Sequence, residues 1–132
     1  MNNFSTRLLR PQWRLRYRTI AIVMVLLIVT TGNIPGARAD IAEVASGAVL
    51  HSIAYALLAA LWFLGSPGSA AMRACKAVLA VAVMGACDET IQSFFPYRGA
   101  SVGDWAVDVG AALAASALLC LFVPRAVLAP ES

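Results

Sequence analysis

His51 and Tyr55, four residues apart, and four of the chain's seven carboxylates, Asp88, Glu89, Asp104 and Asp108, are the groups best placed to move protons or hold a ligand. Gln92 and Arg98 lie among them in the pattern CDETIQSFFPYRGASVGDWAVD, residues 87–108. A carboxylate or the imidazole could act as general acid or base, which makes His51, Glu89 and Asp104 the candidate catalytic groups. Arg98, with its planar fork of donors, could hold a phosphate or carboxylate, and Tyr55, Gln92 and Asp108 could position the bound molecule. No GxSxG or comparable nucleophile motif accompanies them, so enzyme status stays open.

Each residue also has a structural reading. Glu89 and Gln92 are three apart and share a helical face, Asp88 and Gln92 share the adjacent one, and all three could hydrogen-bond neighbouring helices. Arg98 could clamp Glu89 or Asp104, and the role of Asp88 is open. His51, Glu89, Asp104 and Asp108 form an oxygen-rich set that would suit magnesium or manganese, but no ligand spacing specifies one. No metal and no cofactor is assigned. Cys75, Cys87 and Cys120 lack CxxC or Cys/His spacing and read as small apolar packing residues.

The elements that must carry these groups are apolar. The chain has 132 residues, 61% of them hydrophobic and 13% charged, about half the charged share of an ordinary soluble domain. The net charge of +3 does not point to nucleic acid, because the basic residues flank apolar runs instead of forming a patch. Those runs cover about 17–34, 47–64, 74–95 and 103–123, each long enough to cross hydrocarbon as a helix. Pro35-Gly36, Gly65 to Gly68, Pro96 and Pro124 separate them. The reading is an all-α polytopic membrane protein, a single domain of four transmembrane helices.

Depth explains why acids cluster in so apolar a chain. Apart from Lys76, the third run is apolar only over 74–87, about 21 Å of helix against a hydrocarbon core of about 30 Å. Its helix must continue through Asp88, Glu89 and Gln92. Asp104 opens the fourth run, Asp108 follows one turn deeper, and His51 lies near the start of the second. Three helices thus bring polar groups to one layer, with Arg98 in the link above it. Facing lipid they would cost a few kcal/mol each, so they should turn inward and share one site.

Eight basic residues (Arg7, Arg10, Arg14, Arg16, Arg18, Arg73, Lys76, Arg125) fall on one side of the runs, against Arg38 and Arg98 on the other. Both termini are therefore expected in the cytoplasm, and the polar layer near the outer face. A competing reading takes residues 1–39 as a cleavable secretory signal ending at Ala37-Arg38-Ala39, which would leave three helices and an N-terminus at Asp40.

The ordered set Glu89-x-x-Gln92, Pro96-x-Arg98 and Asp104-Trp105-x-x-Asp108, preceded by His51-x-x-x-Tyr55, resembles the VanZ-like family of small bacterial membrane proteins. The resemblance covers about the last ninety residues. It implies a multi-helix inner-membrane protein of the cell envelope with a retained first helix, and its founding member is associated with resistance to the glycopeptide teicoplanin. Two departures stand out. Gly47 and Ala48 replace an Asp-Lys pair common in relatives, and Gly110 follows Asp108 by two residues where three is usual. The expected function is an outer pocket that binds or modifies a lipid, a lipid-linked envelope precursor or a glycopeptide. The alternatives are a non-catalytic assembly protein and a small transporter.

Overall fold

Serine hydroxyls start three of the four helices. Ser46, Ser69 and Ser101 adopt extended backbone and accept from the N–H groups of Val49, Met72 and Asp104, each satisfying a donor that a helix start leaves open. The computed structural model describes residues 11–36 and 46–123. Within them the helices are α1 (Pro11–Gly32), α2 (Gly47–Gly65), α3 (Ala70–Gln92) and α4 (Val102–Phe122), and no strand is present among the described residues. All four are long and apolar enough to cross a membrane.

The observed bounds differ from the sequence expectation where charged residues flank apolar ones. α1 already runs from Pro11, six residues before residue 17, because Arg14, Arg16 and Arg18 continue the helix. α3 begins at Ala70 and carries Arg73 and Lys76 inside it. These side chains turn back to the α2–α3 link: Arg73 Nε donates to the Gly68 carbonyl at 2.8 Å and Lys76 Nζ to the Pro67 carbonyl at 3.1 Å. α3 stops at Gln92, and the backbone turns through 93–95 toward Pro96.

α2, α3 and α4 pack against one another, while α1 packs mainly along α2. Tyr55, Leu58, Ala59 and Phe63 of α2, Ala77 and Val81 of α3 and Ala112 of α4 form the buried apolar core, with Ala21 of α1 beside it. The outward faces remain apolar, with Ile20, Leu26, Leu57, Leu79, Val83 and Leu118 exposed, as expected where lipid is the solvent. Small residues of α4 divide between its two faces. Ala112 is buried, whereas Gly110 and Ala114 face outward, because the packed face of α4 follows the four-residue spacing Asp108, Ala112, Ser116. Cys75 and Cys87 likewise face outward instead of packing in the core.

Arg7, Arg10, Arg38, Arg125 and the candidate cleavage site 37–39 lie outside the described residues.

Candidate functional site

The last turn of α3 and the first turns of α2 and α4 meet at one end of the bundle. There His51 Nδ1 lies 2.9 Å from Asp108 Oδ1, joining α2 to α4. Tyr55 donates its hydroxyl to Asp88 Oδ2 at 3.2 Å, joining α2 to α3. The four-residue spacing of His51 and Tyr55 stacks their rings, with centroids 5.7 Å apart and planes 8° from parallel. His51, Tyr55, Asp88 and Asp108 are therefore one connected unit drawn from three helices.

With Asp108 ionised, the His51 proton must sit on Nδ1, because a carboxylate can only accept. The neutral ring then carries its lone pair on Nε2. A carboxylate orienting an imidazole in this way is an arrangement suited to general-base work.

Two contacts set α4 against α3 at this level. Trp105 Nε1 donates to the Ala82 carbonyl at 2.9 Å, and the backbone N–H of Ser101 donates to Glu89 Oε2. Ser101 in turn accepts from the Asp104 N–H, so a carboxylate at the end of α3 holds the residue that caps α4. Gly85 makes the close approach possible. A Cβ there would lie 3.2 Å from both Asp108 Oδ2 and Trp105 Cδ1, two groups already held by other bonds.

Burial at this layer is nearly complete: Asp108 is 0% exposed, Asp88 and Gln92 2%, and Glu89 8%. Asp88 Oδ1, Glu89 Oε1, Gln92 Oε1 and Asp108 Oδ2 are buried oxygens without a hydrogen-bond partner among the described residues. Buried polar atoms are ordinarily satisfied, and four such acceptors lie in this layer.

Not every expected group joins the unit. Asp104 is half-buried one turn from Asp108, and its carboxylate makes no hydrogen bond among the described residues. Arg98 lies against the end of α1, its Nη2 3.9 Å from where a Gly32 Cβ would stand. It lines a cleft of about 250 Å³ with Ile34, Pro35, Gly36, Tyr97 and Gly99. Tyr97 anchors that region by donating to the Asn33 carbonyl at 2.8 Å. Glu89 accepts from the Ser101 N–H, while the turn after Gln92 carries Arg98 toward α1.

No family model, curated protein or solved structure matches the chain.

The site must accordingly be read from its own chemistry. Among the described residues no group of three or more His, Cys, Asp or Glu side chains is arranged to hold a metal ion. Trp105, Ser101 and Gly85 were missed as positioning residues in the sequence reading. Trp105 had a usable signal, since three residues before Asp108 it shares that residue's helical face. Ser101 and Gly85 had none, because their roles depend on how α3 and α4 approach.

Proposed function

We propose that this chain is a VanZ-like inner-membrane protein of the bacterial cell envelope whose outer-facing pocket binds, or acts on, a lipid, a lipid-linked envelope precursor or a glycopeptide. The observation that carries the reading is the set of four buried acceptors without partners, gathered from α3 and α4 beside His51 and Tyr55 of α2. A polar layer serving only to lock helices would satisfy its own members, since a half-satisfied network destabilises the fold it belongs to. The His51 and Asp108 pair supplies a candidate base if the bound molecule is modified, and Arg98 in the neighbouring cleft suits an anionic part of the ligand.

The assembly-protein reading has its own support in the Tyr55–Asp88, Ser101–Glu89 and Trp105–Ala82 bonds, which do hold helices together. One experiment separates the two. Asp108→Asn, Glu89→Gln and Arg98→Lys are introduced singly into a strain lacking the protein, and a deletion phenotype such as glycopeptide susceptibility is scored against quantified membrane protein. The pocket reading expects loss of function at near-normal abundance. Abundance and function falling in parallel would favour assembly, and full complementation by all three would eliminate the pocket.

A further inference from the structure

The four unmet atoms are carboxyl or amide oxygens, and four of the donors around them are engaged elsewhere. Tyr55 gives its proton to Asp88, His51 its Nδ1 contact to Asp108, Ser101 its N–H to Glu89 and Trp105 its Nε1–H to Ala82. Gln92 is the second, non-acidic indication: an amide 2% exposed, on the same α3 face as Asp88, with its Oε1 unmet. An anion entering here would meet the oxygens of three acidic side chains, which repel it when ionised. A divalent ion would need ligands clustered more tightly than these, and no such cluster exists among the described residues. An ammonium group has three diverging N–H donors and a positive charge, which suits several acceptors spread over one layer.

Beside the cluster runs an apolar groove of about 250 Å³ between α3 and α4, lined by Ala86, Glu89, Ala100, Ser101, Val102 and Trp105. Glu89 belongs to both, with Oε1 unmet at the polar layer and its side chain in the groove wall. The groove therefore ends on a carboxylate, and its small residues Ala86 and Ala100 leave room for a hydrocarbon chain.

We infer that the ligand is an amphiphile with an ammonium headgroup, the ammonium entering the acceptor layer of Asp88, Glu89, Gln92 and Asp108 while the apolar chain lies in the α3–α4 groove. This rests on the pocket reading above and narrows it to a headgroup chemistry. The amine could come from an aminolipid or from an amine-bearing substituent on a lipid-linked sugar or peptide, and the recognition would be the same.

The test uses the full chain in phosphatidylcholine nanodiscs with Trp13→Phe and Trp62→Phe, so that Trp105 alone reports. Bromododecylammonium and bromododecyl phosphate, which carry the same quenching tail, are compared at equal mole fraction in the bilayer. The ammonium form should quench Trp105 saturably with a half-saturation about tenfold lower than the phosphate form. Ala86→Leu, which fills the groove without touching the acceptors, should raise that half-saturation, and so should Glu89→Gln. The main contrast needs no change in the pocket, so an unstable variant does not void it. Preferential saturable quenching by the phosphate would overturn the ammonium assignment and leave the pocket reading standing. Equal, non-saturating quenching by both would overturn the inference, while the strain complementation above decides the pocket reading separately. Unbrominated hexylammonium and ethanolamine added as competitors distinguish a lipid-bound amine from a small free one. Competition by ethanolamine alone would overturn the role given to the groove.

Discussion

At the scale of single residues the site is a set of side chains whose partners lie on other helices. That is why the sequence could nominate them and not pair them. His51, Asp88, Glu89, Gln92, Asp104 and Asp108 were recognisable as polar groups near a common depth, because helical rise converts position along each run into height. Which oxygen meets which donor depends on helix rotation and approach, and these come from Gly85, the core residues and the turn at 93–101. Asp88, whose role was open, proves to be the partner of Tyr55, while Arg98 turns to α1. The Tyr55–Asp88 bond gives a direct check. Tyr55→Phe leaves Asp88 Oδ2 without its donor and should cost about 1 kcal/mol of stability, with a coupling to Asp88→Asn of about 0.5–1.5 kcal/mol in a double-mutant cycle. Reversible unfolding in mixed micelles measures both. Strict additivity would mean that the two groups do not interact in the folded protein.

At the scale of elements, the four apolar runs mapped onto four helices because a stretch long enough to cross hydrocarbon has few other ways to satisfy its backbone. The ends were less legible. A helix continues through basic residues such as Arg14 and Arg73 when their heads can reach carbonyls or an interface, so charge alone was a poor boundary marker. The same end of the molecule shows how α1 is held. Gly65 closes α2 against α1 so tightly that a Cβ would stand 2.9 Å from Arg18 Cγ, 3.0 Å from the Arg14 carbonyl oxygen and 3.3 Å from Tyr17 Cβ. Backbone is among those neighbours, so the clash cannot be relieved by a rotamer alone. Gly65→Ala should therefore push α1 away and cost about 1–3 kcal/mol. The lost docking would appear as a lower melting temperature and as weaker cross-linking between cysteines placed on α1 and α2. The His51, Tyr55, Asp88 and Asp108 unit, which takes nothing from α1, should still form. Loss of Trp105 quenching in this variant would show that α1 shapes the pocket as well.

At the scale of the whole molecule, the polar layer and the basic residues of α1 and the α2–α3 link occupy opposite ends of the bundle. The charge asymmetry predicts that the link between α3 and α4 faces away from the cytoplasm. Gly99 is a good reporter, since it is exposed and a Cβ there meets nothing within 4 Å. In a background free of Cys75, Cys87 and Cys120, Gly99→Cys should react with a membrane-impermeant thiol reagent on intact cells, whereas Pro67→Cys should react only after permeabilisation. The reverse pattern would invert the topology and place the pocket at the inner face. The contact between Glu89 and Ser101 bears also on how such a chain is made. α3 emerges from the ribosome with Asp88, Glu89 and Gln92 uncovered, and the groups that meet or flank them from the far side, Ser101, Trp105 and Asp108, are synthesised only afterwards. A nascent chain ending near residue 100 would have Tyr55 of α2 to meet Asp88 but nothing from α4 to cover Glu89, and passage into lipid would be costly until the next helix arrived. Biosynthesis is therefore expected to deliver α3 and α4 to the bilayer as a pair, with the carboxylate of the first already closing the start of the second.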